Sequence, residues 1–229
     1  MQQLPLPIRL DTRATFDNYV AGKNSQVVDC LRGLVGQFPE TQAFIWSRPG
    51  RGKTHLLHAL SRLAGHHHQA MAYLPMEQFV NTDPDILSNL DQLTLVCIDD
   101  VDKVCHKPHW AEALFHLINR CRENSCPLVF TASKSPQSMP VALPDLSSRF
   151  LWGQVFYLKP LDDADLTLFL TERSAERGLD MPAEVMHYLL NRGRRDVGEL
   201  LKQMDMLDES GLARQRRITV PFAREVLDL

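Results

Sequence analysis

The sequence predicts an α/β fold, with a five-stranded parallel sheet between helices and a small all-α domain behind it. Three observations predict it. A glycine-bearing loop, "SRPGRGKT" (residues 47–54), stands between a short apolar run and a helical pattern. Further short apolar runs recur, separated by segments of helical spacing. After Pro160 the strand signals stop and only helical patterns follow.

Taken in order, the first ten residues, "MQQLPLPIRL", are punctuated by prolines and read as an extended tail. "SQVVDCLRGLVGQF" then spaces Val27, Val28, Leu31 and Leu34 as one helical face. "AFIW" (43–46) is the first strand, followed by the loop and the helix "KTHLLHALSRLA" (53–64). The runs "AMAYL" (70–74), "LTLVCI" (93–98), "PLVFTA" (127–132) and "QVFYL" (154–158) supply the other strands. Strands alternating with helices imply a parallel sheet covered on both faces. The clearest intervening helix is "HWAEALFHLINRCRE" (109–123). Beyond Pro160, helices are expected at residues 163–176, at 182–191 with Pro182 in the first turn, at 195–207, and at 221–227 behind a Thr219 cap. The expected divisions are a tail at 1–10, an αβα domain at 11–159 and a helical domain at 160–229, with no internal repeat or low-complexity tract.

Composition narrows the classes. At 229 residues, 44% hydrophobic and 23% charged, the chain is that of an ordinary globular protein. A net charge of −3 argues against a protein whose main task is gripping phosphate backbones. The basic runs at residues 192–195 and 214–217 read as solvated helix ends. The five cysteines are odd in number and lack C-x-x-C spacing. With no signal peptide, they read as reduced thiols of a cytoplasmic protein. No apolar run approaches ~20 residues, so no membrane span is expected. His66, His67 and His68 are adjacent and cannot share one helix face; they read as a cationic helix end rather than a metal site.

The loop carries the chemistry. A strand ends at Trp46, and the chain must then wrap an anion with backbone N–H groups before a helix begins. Gly50 and Gly52 let the backbone approach phosphates without a Cβ in the way. Lys53 brings positive charge to the outer phosphates, and Thr54 offers a hydroxyl to Mg²⁺. Ser47 stands where the first glycine of G-x-x-x-x-G-K-[ST] belongs, which is free of strain only while its φ stays negative. "LTLVCIDD" then ends a buried strand in Asp99 and Asp100, where an α/β sheet presents ligands and where a carboxylate holds Mg²⁺. These features together predict a site for a nucleoside di- or triphosphate. Arg149 in "LPDLSSRF" lies near a helix end before the last strand: a surface ion pair, or a guanidinium facing a neighbouring subunit's γ-phosphate.

Three stretches, "TFDNYVAGKNSQV" (15–27), "GKTHLLHAL" (52–60) and "LVCIDDVDKV" (95–104), resemble the AAA+ P-loop core of the bacterial replication initiator family DnaA, the likeness running from about residue 15 to the end. DnaA carries a C-terminal helix-turn-helix domain, for which "PFAREVLDL" leaves no room. The compact form resembles the Hda family, the DnaA-related proteins of regulatory inactivation. The tail "QLPLP" also resembles that family's Q-L-x-L-P sliding-clamp motif. A proline-stiffened peptide loses little entropy on docking, with Gln3 hydrogen-bonding and Leu4, Leu6, Pro7 and Ile8 available to an apolar pocket.

The resemblance implies a nucleotide-binding set of Tyr19, Val20, Pro49, Gly50, Arg51, Gly52, Lys53, Thr54 and His55. Tyr19 and Val20 match the segment that packs on adenine. It implies Mg²⁺ at Thr54 and Asp99, Asp100 as a catalytic residue, and sensor 1 at Thr131 and Ser133. It implies Arg149 as an arginine finger acting in trans on the ATP of DnaA. The sensor 2 position, an arginine in V-R-E-L-like motifs, is Gly198 in "DVGEL"; Arg194 or Arg195 are the substitutes within reach. Together with Ser47 in place of the loop's first glycine, this leads to the expectation that an adenine nucleotide, ADP ahead of ATP, sets conformation more than it fuels turnover. The implied partners are DnaA and the DNA polymerase III sliding clamp (its beta subunit). DNA is reached only through the clamp, no membrane is involved, and a homodimer competes for the DnaA-facing surface. The alternatives are an autonomous ATPase such as a DnaC-like helicase loader, and a passive nucleotide-binding adaptor.

Overall fold

The structure, a computed structural model, describes residues 13–36, 42–193 and 195–228. The clamp-motif residues Gln3, Leu4, Leu6, Pro7 and Ile8, and also Arg194, lie outside the described residues. The chain divides into two compact units. One runs through Tyr19 and takes in Asn24–Arg48 and Lys53–Leu158; the other takes in Val20–Lys23, Pro49–Gly52 and the chain from Lys159 onward.

The first unit is built on five parallel strands: β1 (Gln42–Trp46), β2 (Met71–Pro75), β3 (Leu95–Asp99), β4 (Leu128–Ala132) and β5 (Gln154–Tyr157), in the spatial order β2-β3-β4-β1-β5. β3 and β4 are buried at every residue, the expected pattern for strands covered on both faces. β5, an edge strand, departs from it: Val155 and Tyr157 are exposed.

The helices of this unit follow their apolar spacing. Helix α1 (Ser25–Val35) buries Val27, Val28, Leu31 and Leu34, and α2 (Lys53–His66) leaves the glycine loop. A short α3 (Met76–Phe79), which the apolar pattern does not announce, follows β2 and buries Met76 and Phe79. Helix α4 (Pro108–Glu123) has Pro108 in its first turn and buries Trp110, Leu114, Leu117, Ile118 and Cys121. Helix α5 (Pro144–Phe150) is about two turns, pinned by buried Leu146 and Phe150. Phe150 packs edge-on against Phe130 at 5.0 Å and against Phe44 at 5.2 Å. Its burial in that aromatic cluster holds the neighbouring Arg149 at the unit's surface.

The second unit contains α6 (Asp163–Glu176), α7 (Ala183–Arg192), α8 (Val197–Arg214) and α9 (Val220–Leu227) around Leu170, Val185, Leu189, Leu200, Met204, Leu207 and Phe222. Its helix starts are chemically marked. Asp162 and Asp165 form a reciprocal capping box on α6, and Thr219 accepts the Phe222 N–H of α9, the cap anticipated for it. Two expectations are corrected. Pro182 is the extended cap of α7 (ψ 149°) and not a first-turn residue. Helix α8 starts behind Asp196 and continues past Leu207 to Arg214, because its last turns are polar and carry no apolar stripe to read.

All five cysteines are free of disulfides. Among the described residues no helix is long and apolar enough to cross a membrane, and no His/Cys/Asp/Glu group could hold a metal on its own. His66 closes α2, and His68 turns the chain with φ 54°.

Candidate functional site

β1 delivers the chain into the loop at Ser47. This residue is fully buried, and its N–H continues the sheet ladder to the Ala132 carbonyl at 3.2 Å. It is absent from the residues of positive φ, so the serine fits where the sequence motif prefers glycine. The left-handed positions fall on Gly50 (φ 76°) and Gly52 (φ 89°), where a side chain would be strained. Lys53 opens α2, buried, and its Nζ donates to the Ser47 carbonyl at 3.1 Å, tying the two ends of the loop together.

Beside it, β3 ends at Asp99, which is 3% exposed. Its Oδ2 accepts from Thr54 Oγ1 at 2.8 Å and from Tyr73 Oη at 2.9 Å, while Thr131 Oγ1 donates to its Oδ1. Thr54 and Asp99 are hard oxygen donors already within contact of one another, a pair that fits Mg²⁺. Thr131 also accepts the Asp100 N–H at 2.8 Å, so one hydroxyl joins two strand ends. Ser133 serves a different carboxylate: its hydroxyl and its N–H both donate to Asp102.

Asp100 adopts φ 52°, a left-handed conformation that Asp tolerates better than most residues. Its carboxyl is pushed up to about 6, first by burial and then by the adjacent Asp99 charge. Burial and Asp99 also push the Tyr73 phenol far above its ordinary value, so it stays a proton donor. Tyr73 and Asp102 are site residues that sequence reasoning missed. Tyr73 reads as one more apolar strand residue until β2 pairs with β3, opposing Tyr73 to Cys97.

The turn before α1 is locked by reciprocal bonds: Thr15 N–H to Asn18 Oδ1 at 3.0 Å and Asn18 N–H to Thr15 Oγ1 at 3.1 Å. This presents Tyr19 to His55, their rings 5.6 Å apart. His55 Nε2 lies 2.9 Å from the Thr15 carbonyl, which only accepts, so the proton is on Nε2. Val20 packs on the helical core of the second unit.

Arg149 is not gathered with these residues. Its Nε donates to Asn119 Oδ1 at 3.2 Å, and its guanidinium lies 4.9 Å from the Phe115 centroid and 3.9 Å from that of Trp152. Among the described residues its side-chain contacts are the Asn119 amide and the Phe115 and Trp152 rings, with no acidic partner.

The bacterial DnaA ATPase domain family matches residues 10–157. The chain belongs to that family. Residues 162–227 match the Hda lid domain, so the DnaA-type core is followed by an Hda-type lid. The fold is similar to domain III of the Thermotoga maritima replication initiation protein DnaA (TM-score 0.83, 20% identity, 96% of this chain and 98% of that one). It is also similar to AMPPCP-bound DnaA from Aquifex aeolicus (TM-score 0.78, 22% identity, 89% and 68%). The Thermotoga maritima RuvB Holliday junction branch migration motor is more distant (TM-score 0.74, 14% identity, 96% and 73%). The fold is therefore AAA+ of the DnaA domain III kind.

In this DnaA-family chain Gly198, the residue expected at the sensor 2 position, lies in the first turn of α8. The helix is capped by Asp196, whose Oδ1 accepts the N–H groups of Gly198 and Glu199. A Cβ on Gly50 would stand 2.0 Å from that same Oδ1, so the cap carboxylate lies directly against the loop glycine. Of the two substitutes, Arg195 donates to Asp163 at 2.8 Å and to the Leu190 carbonyl at 3.3 Å. Pro49 and Arg51 accompany Gly50 and Gly52 in the second unit.

Proposed function

We propose that this chain is a nucleotide-bound regulator, tethered to the sliding clamp by its first ten residues, that stimulates hydrolysis of the ATP held by DnaA and so restrains initiation of DNA replication. The observation that carries the reading is Arg149: a surface guanidinium oriented by Asn119, Phe115 and Trp152, whose contacts are away from the chain's own loop. A cation aimed at another subunit's γ-phosphate stabilises charge that develops in the transition state, worth ~10³–10⁵ in rate.

The chain's own site is read as a holder. Gly50, Gly52, Lys53 and Thr54 receive the phosphates of an adenine nucleotide, with Pro49, Arg51 and His55 lining the loop and Tyr19 and Val20 against the base. Thr54 and Asp99 would hold Mg²⁺, whose charge would neutralise phosphate oxygens. One feature supports little turnover, and with it ADP as the resting nucleotide: no arginine stands at position 198. The corresponding domains are the tail at 1–10, the nucleotide-binding AAA+ domain at 11–159 and the lid at 160–229, in a cytoplasmic protein that meets DNA only through the clamp.

A second reading, an ATPase of its own such as a helicase loader, is favoured by the assembled Thr54–Asp99–Thr131 group. One experiment separates the two: DnaA–ATP hydrolysis measured with clamp loaded on DNA. The regulator reading expects Arg149→Ala to lose stimulation by about 10³-fold or more while clamp binding holds. Full stimulation by Arg149→Ala, or steady turnover by the isolated chain raised by single-stranded DNA, overturns it.

A further inference from the structure

Resting on the reading of Arg149 as a finger, we propose that Trp152 is the residue that positions it. An arginine side chain has many rotamers, and a finger that wanders must give that freedom up each time it engages. Here the cost is met in advance. Phe115, Arg149, Trp152 and Arg122 form a ladder of alternating rings and guanidinium groups, with Arg149 3.9 Å from the indole centroid and Arg122 4.2 Å from the same ring.

The backbone closes around this ladder. The Trp152 N–H donates to the Arg149 carbonyl at 3.2 Å, and Gln42 Nε2 donates to that same carbonyl at 2.8 Å. Gly153 follows, where a Cβ would stand 1.9 Å from the Gln42 carbonyl oxygen; only glycine lets the turn come this near β1. Side chain and main chain of Arg149 are thus both referred to the Trp152 turn.

Trp152 is 39% exposed, so the indole does little for the core. Exposing a large ring is unfavourable, and what the ring gains is the stacked guanidinium. Only Nε of Arg149 is engaged, by Asn119, so among the described residues the Nη fork has no protein acceptor. That is the geometry of a cation held ready for a bidentate phosphate contact. Trp152 itself touches no reacting atom and acts through Arg149.

The test compares Trp152→Leu, Trp152→Tyr, Arg149→Ala and the Arg149→Ala/Trp152→Leu double variant. Each is titrated, as full-length chain on DNA-loaded clamp, against DnaA–ATP to give a maximal rate and a half-saturating concentration. Trp152→Leu is expected to lower the maximal rate about tenfold at unchanged half-saturation. Trp152→Tyr, which keeps a π-face, is expected to stay within about threefold, and the double variant to be no worse than Arg149→Ala. A Trp152→Leu protein with full maximal rate, or with only a raised half-saturation, overturns the proposal while Arg149→Ala still reports the finger as real. Stimulation surviving in Arg149→Ala overturns the finger reading and this inference with it. Should Trp152→Leu not fold, Trp152→Thr makes the same comparison.

Discussion

Thr131, at the end of β4, donates its hydroxyl to Asp99 at the end of β3 and accepts the N–H of Asp100. A single side chain thereby sets both the carboxylate proposed for Mg²⁺ and the backbone of the strained residue after it. The carboxylate also takes Thr54 from α2 and Tyr73 from β2. The candidate site is one buried polar network fed by three strands and a helix, and its members are expected to fail together.

Thr131→Val keeps the shape and removes the hydroxyl. It leaves Asp99 Oδ1 and the Asp100 N–H each short of a partner. A loss of about 1–3 kcal/mol in urea unfolding is expected, with weakened Mg²⁺-dependent nucleotide affinity by calorimetry. Unchanged stability and affinity would show the bridge to be incidental.

Gly50→Ala meets two obstacles: a left-handed φ, costing about 1–2 kcal/mol, and the Asp196 carboxylate 2.0 Å from the new Cβ. Displacing Asp196 also uncaps α8, at about 1 kcal/mol. Asp196→Ala loses the cap but removes the obstacle. The double variant is therefore expected to be less destabilised than the two single losses added together, as read from thermal unfolding. Strict additivity would separate Gly50 from Asp196.

Asp100 gives a pH signature with a definite sign. Its carboxyl is raised in the folded chain to about 6 from an ordinary 3.8, so the folded state holds the proton more tightly than the unfolded one. The associated stability is fully present below pH 3.8 and is lost as pH rises through about 6. Between pH 5 and 7.5 the wild-type chain should lose stability relative to Asp100→Asn, whose profile lacks this step. Parallel urea-unfolding profiles for the two proteins over that range would show that Asp100 titrates normally.

Gln3 belongs to the proposed clamp motif. Gln3→Ala is expected to reduce retention on immobilised clamp at least tenfold while nucleotide affinity is unchanged. Wild-type retention would place the tether elsewhere in the chain.

The glycine loop, the five strands and nearly all the helices were legible in the sequence, because each depends on spacing among near neighbours. Gly50 and Gly52, for example, fall where the loop must turn left-handed. Where local pattern was silent, boundaries slipped: α8 runs on through polar turns, and α3 has too few residues to show a period.

What sequence alone determined, then, is the kind of element at each place and the phosphate chemistry of one loop. Only the tertiary structure decided which side chains meet. Tyr73 reaches Asp99 across 26 residues, Thr131 reaches it across 32, and Asn119 orients Arg149 across 30. The first two meetings follow from strand order, with β3 between β2 and β4, and the third from α4 packing beside α5. Strand order is set by how the whole apolar surface packs, which no local window of residues encodes.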